Sequence, residues 1–143
     1  MAVTADQLIV ARLPGTGRIT QVKVEAGEIL YAGTLAFLDA DGYCTPDIAT
    51  GSNRFAGIVR KQADNTAGAD GAIEAELYTE GDFVLPFTSV AQADLTPGLC
   101  YAVDNYAVNA TAASQSYVGL AMRVAGTSLV EVRLDIQLRP DAT

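Results

Sequence analysis

Apolar and polar side chains alternate along much of the chain with a period of two. "IEAEL" (73–77) and "VEVRL" (130–134) each run apolar, charged, apolar, charged, apolar. That pattern puts one apolar row on the inner face of a strand and the charges on the other, so both read as half-buried strands. "ITQVKV" (19–24) alternates less cleanly, with Thr20, Val22 and Val24 on one face, but it is rich in β-branched residues. Shorter β-prone pieces are "TLAFL" (34–38), "FAGIV" (55–59), "DFVLPF" (82–87), "CYAVD" (100–104) and "YVGLAM" (117–122). Between them lie "ADG", "ATGSN", "QADNTAGADG", "TPG" and "NATAASQS", clusters of residues that favour turns. Helical signal is confined to 89–95, "SVAQADL", where Ser89 is a candidate N-cap and Pro97 a stop. The expected fold is all-β, with a short helical turn near 89–95.

The strands repeat. "AGTLAFLDADGYC" aligns with "PGLCYAVDNYAV", Gly33 on Gly98 and Asp39 on Asp104, an offset of 65. "FAGIVRK" aligns with "YVGLAMR", Gly57 on Gly119, at 62, and "IEAEL" with "VEVRL", Leu77 on Leu134, at 57. The offset shrinks across loop-like tracts, so two related β units, about 30–80 and 95–136, are the economical reading. They belong to a single β domain over 18–143, preceded by an N-terminal arm over 1–17 that fits neither unit. The arm carries a β-prone piece, "QLIVARL" (7–13), then Pro14 and a glycine-rich tract. Such an arm either adds a strand to a neighbouring surface or folds as an ordinary first strand on its own domain. Leu8, Val10, Arg12 and Leu13 are its candidate contacts to a partner or subunit.

The repeat also decides how "LDADGYC" (38–44) reads. Two aspartates and a glycine resemble the start of a calcium loop, but six residues after Gly42 stands Ile48, where a glutamate ligand belongs. The second unit replaces "DADG" with "DNY", which keeps a turn and loses ligands. A hairpin turn is expected, with no metal.

The 143 residues suit one domain able to bury roughly 68–70% of its unfolded surface. Half are hydrophobic, yet no apolar run approaches the ~20 residues of a membrane helix. The N-terminus lacks the basic cluster and apolar core of a secretory signal, which places synthesis in a cytoplasm. Nine basic against seventeen acidic residues, a formal charge of −8, oppose direct binding of nucleic acid. Cys44 and Cys100 lack metal-ligand spacing and read as small buried hydrophobes, with a single disulfide as the alternative.

No histidine is present, which removes the commonest general base and the serine and cysteine triads. Among carboxylates, Glu74 with Glu76 and Glu80 with Asp82 have the residue types for paired acid and base work, but Glu74 and Glu76 lie opposite the apolar row and read as a solvated face. "GTGR" (15–18) lacks the lysine and strand-to-helix setting of a phosphate loop. "LPGTG" (13–17) has the letters of a sortase signal in the wrong place. No catalytic residue, metal or cofactor is expected.

From Val22 to Ile136 the order of features resembles the small capsid decoration, or cement, proteins of tailed bacteriophages: "AGTLAFLDADG", the "FAGIV" strand, a charged alternating strand, "TPGLCYAVDN" and the "YVGLAM" strand. The resemblance implies a β-tulip or small β-barrel, a homotrimer, and docking on the major capsid protein lattice at threefold and quasi-threefold sites of the virion's outer surface. It implies no enzyme activity, no nucleic acid and no membrane. A carbohydrate- or receptor-binding β module of a surface fibre is the alternative; six tyrosines favour it and the lack of tryptophan counts against it.

Overall fold

The computed structural model describes residues 2–12 and 18–136, and there the chain is all-β. Thirteen strands follow in order: β1 (Ala11–Arg12), β2 (Ile19–Lys23), β3 (Ile29–Leu30), β4 (Leu35–Leu38), β5 (Cys44–Thr45), β6 (Arg54–Val59), β7 (Ala63–Asp64), β8 (Glu74–Tyr78), β9 (Asp82–Pro86), β10 (Leu99–Ala102), β11 (Val108–Asn109), β12 (Ser116–Gly126) and β13 (Leu129–Leu134). They form a five-stranded sheet, β2-β8-β6-β4-β5, a six-stranded sheet, β1-β9-β13-β12-β10-β11, and the small pair β3-β7. The helical turn expected at 89–95 is a 3-10 turn over Gln92–Leu95. Ser89 does not cap it: its φ is +57°, and the Ala91 N–H is taken by the Asp94 carboxylate at 2.8 Å.

Leaving β1 aside, the two large sheets have the same order when β2, β8, β6, β4 and β5 are set against β9, β13, β12, β10 and β11. The registers agree in detail. Leu35 pairs with Ile58, Ala36 with Gly57 and Phe37 with Phe55, with a bulge that skips Ala56. Leu99 pairs with Leu120, Cys100 with Gly119 and Tyr101 with Tyr117, with the same bulge at Val118. Both glycines have one cause. A Cβ on Gly57 would meet the Tyr78 carbonyl oxygen, and a Cβ on Gly119 would meet that of Arg133, the equivalent residue of the next strand. The pairings set the offset at 64 between β4 and β10 and at 55 between β8 and β13, where letters alone suggest 65 and 57.

The layers follow from which row each strand buries. Leu35, Phe37, Phe55 and Ile58 face the six-stranded sheet and pack with Phe83, Leu85, Val118, Val130 and Val132. The opposite row of the five-stranded sheet, Ala36, Cys44, Ala56, Val59, Ala75 and Leu77, packs under the β3-β7 pair with Leu30 and Ala63. β4 and β6 are thus buried on both faces, which is why "TLAFL" and "FAGIV" are nearly continuous apolar runs. Each fully buried Phe or Leu stabilises the fold by about 1.5–3 kcal/mol. Cys44 and Cys100 are buried and free.

The sheets do not close into a barrel, unlike the expectation drawn from the resemblance. The edges of the five-stranded sheet meet at one isolated parallel bridge, Val24 to Cys44. The chain then turns at Gly27, with φ +79°, before further pairing can form.

Residues 2–12 lie along their own chain. The Val3 N–H donates to Asn105 Oδ1 at 2.9 Å and the Asn105 amide donates back to the Val3 carbonyl at 3.0 Å. Asp6 accepts the Ala32 N–H at 2.8 Å, and the Val84 N–H donates to the Val10 carbonyl at 2.9 Å. β1 then pairs antiparallel with β9, Ala11 on Phe83 and Arg12 on Asp82.

Candidate functional site

The outer face of the six-stranded sheet gathers most of the exposed apolar side chains. Ala11 lies opposite Phe83, which is buried in the core, so alternation turns Val10 and Leu8 outward while Ile9 packs inward. Leu8 is 86% exposed and Val10 50%. Across the same face run Pro86 beside Leu129, then Leu120 beside Leu99, then Tyr117 beside Tyr101. Leu99, Leu120, Met122 and Leu129 are all exposed. The Tyr101 and Tyr117 rings meet edge to face with centroids 5.6 Å apart, and the Tyr117 hydroxyl donates to Asp135 at 3.0 Å.

Charged side chains on this face sit in pairs. Arg133 holds Asp82 at 2.8 Å and Arg123 holds Glu131 at 3.1 Å. Among the described side chains of this face, Arg123 and Arg133 stand against Asp82, Glu131 and Asp135, two positive against three negative.

Of the four candidate contacts in the arm, Leu8 and Val10 project from this face and Arg12 pairs with Asp82 in the ladder. Leu13 lies outside the described residues. Sequence reasoning did not join the arm to Leu99, Leu120 and Met122. The signal was available: "CYAVD" and "YVGLAM" carry apolar letters on both rows of strands that end up buried on only one.

The carboxylates weighed for chemistry are mostly tied to arginines. Glu76 is held by Arg60 at 2.6 Å and Lys61 at 3.3 Å, and these hydrogen bonds, Arg60 first, lower its pKa. Glu80 pairs with Arg18. Glu74 is exposed, opposite the row of Ala75 and Leu77. In the turn 39–43 one Asp39 oxygen accepts the Asp41 and Tyr43 N–H groups, both at 2.9 Å, and Gly42 sits at φ +86°. This is an Asx-type hairpin turn. Among the described residues no group of three or more His, Cys, Asp or Glu side chains is placed to hold a metal ion.

One open cleft, of about 560 Å³, lies between the start of the arm at Val3, the Glu28 and Tyr31 segment, Asp47 and the Asn105 turn. Its carboxylates serve local structure: Glu28 accepts the Thr45 hydroxyl at 3.0 Å, and Asp47 the Ala49 N–H at 2.8 Å.

Among the described residues no helix is long and apolar enough to cross a membrane. No protein-family model, curated protein or solved structure matches this chain.

Proposed function

We propose that this chain is a capsid decoration protein, which binds the outer surface of an assembled phage head as a homotrimer at threefold and quasi-threefold sites and stabilises it. The observation that carries the reading is the outer face of the six-stranded sheet. Leu8 and Val10 stand there just before the edge strand β1, near charges paired with their neighbours, a surface suited to contact. The reading needs no catalytic residue and no cofactor. A chain of −8 also avoids packaged DNA.

The mechanism is linkage. A protein that binds only the assembled lattice stabilises it by about 2.7 kcal/mol per site when free protein stands at a hundred times Kd. A threefold unit holds several contacts at once, so weak contacts sum through effective concentration. The test is titration of purified protein onto heads that lack it. Binding that saturates at a fixed copy number, density over the threefold positions by electron microscopy and a higher disruption temperature are expected. Heads that take up no protein would overturn the reading. Glycan binding through the cleft beside Tyr31 would support the carbohydrate-binding alternative instead.

A further inference from the structure

The cleft at the start of the arm, about 560 Å³, falls within the roughly 300–1,000 Å³ of pockets that hold small ligands. Its walls are mostly apolar: Val3 from the arm, Ile29 and Tyr31 from the β3 segment, Ile48 from the tract after β5 and Val103 from the turn after β10. Set among them are three carboxylates, Glu28, Asp47 and Asp104, and none of the described lining residues is a lysine or an arginine. Glu28 accepts from the Thr45 hydroxyl and Asp47 from the Ala49 N–H, neutral donors that leave both negative charges in place. Glu28 is also among the charges, with Asp39 and Asp70, that add to burial in raising Glu25, so the acidic field extends beyond the cleft itself.

We infer that this cleft binds a small organic cation, a primary ammonium on an apolar chain, with the chain against Val3, Tyr31 and Val103 and the ammonium toward Glu28 and Asp47. Charge complementarity and the chemistry of the walls choose that occupant together. An anion would meet like charge, and a neutral sugar would leave the carboxylates uncompensated and find one aromatic ring, Tyr31, among the described lining residues. A bare metal ion does not fit either. Among the described residues no three carboxylates are placed to share one, and the walls it would face offer few oxygens. An alkylammonium uses both features: its head is attracted by the carboxylates, and its chain takes apolar wall out of water. The arm takes part as well. Val3 lines the cleft, and its N–H and carbonyl are both held by Asn105, another lining residue, so a ligand seated against Val3 holds the arm to the domain. The inference does not depend on the capsid reading, which rests on the outer face of the six-stranded sheet.

Titration of the full chain with n-hexylamine at low salt tests it, with n-hexanol and n-hexanoate as neutral and anionic controls of the same length. Amide chemical shifts in NMR spectra locate the site and give the affinity. Hexylamine should bind saturably and at least about tenfold more tightly than either control, with the shifts gathered at residues 27–31, 46–48 and 103–105. The double variant Glu28→Gln, Asp47→Asn keeps the oxygen acceptors and loses the charges. It should bind hexylamine about tenfold more weakly, the product of two partly exposed ion pairs worth a few-fold each. Glu74→Gln, at an exposed carboxylate outside the cleft, should bind like the wild type. Circular dichroism establishes that each variant is folded. Should the double variant unfold, hydrogen exchange of the wild-type Val3 amide replaces it, and exchange slowed by hexylamine but not by hexanoate is the expected result. Hexylamine that fails to saturate, hexanol that binds as tightly, a folded double variant of unchanged affinity, or Val3 exchange indifferent to the amine would overturn the inference. Head uptake is scored separately: heads that take up no protein refute the capsid reading alone.

Discussion

Replacing Gly57 with alanine should cost this protein a large part of its stability. The new Cβ would stand 2.5 Å from the Tyr78 carbonyl oxygen and 3.0 Å from the Leu77 Cβ, so β8 must retreat by roughly 1 Å to restore ordinary separation. β8 has little freedom to move, because Leu77 is fully buried and Tyr78 pairs with Ile58 on one side and Ile19 on the other. Overpacking of this kind costs about 1–3 kcal/mol. Gly57 also has φ +151°, which an alanine adopts at a further cost of about 1–3 kcal/mol. A total near 4 kcal/mol is expected, out of the roughly 5–15 kcal/mol that holds a domain together. Urea unfolding followed by circular dichroism measures it: with a slope of about 1–3 kcal/mol/M, the midpoint falls by roughly 1–4 M. Gly119→Ala meets the Arg133 carbonyl at the equivalent place but without a positive φ, so it should show the overpacking loss alone, about 1–3 kcal/mol. If both variants lost less than about 1 kcal/mol, close approach of the neighbouring strand could not be why these positions are glycine.

Burial pushes the Cys44 thiol up to about 12 and the Cys100 thiol up to about 11, so neither should react with a disulfide reagent at pH 8 in the native protein, while two thiols should react in denaturant; rapid native reaction of either would refute their burial. Burial first, then a hydrogen bond to Asp39, raises Glu25 from 4.5 to about 7. The folded chain therefore binds a proton more tightly than the unfolded one, and this group's contribution falls as pH rises from about 4.5 to 7. Glu25→Gln keeps the donor without the charge. It should stabilise the protein by about 1 kcal/mol at pH 8, after allowance for solvent screening, and by nothing at pH 4; a gain independent of pH would exclude a raised Glu25 pKa as its cause. Asn105→Ala removes both partners of the Val3 backbone, so hydrogen exchange at Val3 and its neighbours should accelerate, with a loss of about 1–3 kcal/mol if the arm is held chiefly by this clamp; unchanged exchange there would show that β1 suffices.

How much of the fold could be read in advance depended on what each strand buries. β8 and β13 each bury one apolar row, with Glu131 the one buried residue on the opposite row of β13, so alternation fixed their existence and their faces. It did not fix their alignment: the registers differ by two residues from the letter match, and a slip of two leaves every side chain on the face it had. β4 is buried on both sides, so even a slip of one goes unpunished in its pattern. There the glycine and aspartate matches led to 65, whereas the backbone bonds of Thr34 to Val59 and of Gly98 to Ala121 set 64. β1, β3 and β7 have two residues each and exist because longer strands offer them an edge or a face, a tertiary cause with no local signature.

The exposed apolar face was hidden for a related reason. A period of two reports which row of a strand is apolar, and it is silent on whether the cover belongs to the same chain. Leu35, Phe37, Phe55 and Ile58 share their pattern with Leu99, Tyr101, Tyr117 and Leu120, yet one set is core and the other surface. Two like sheets stacked in one direction share a single interface and leave one row of each without a partner. β3 and β7 close that row for the first sheet, and among the described residues no strand closes it for the second. Stacked β architectures ordinarily finish such a row with polar side chains. Here the hydroxyls of two tyrosines are the main concession to water at those four positions, while both leucine-type positions remain apolar. The face of the second sheet therefore keeps Leu99 and Leu120 apolar and 38% exposed where their first-unit equivalents are core, and among the described residues no strand covers them.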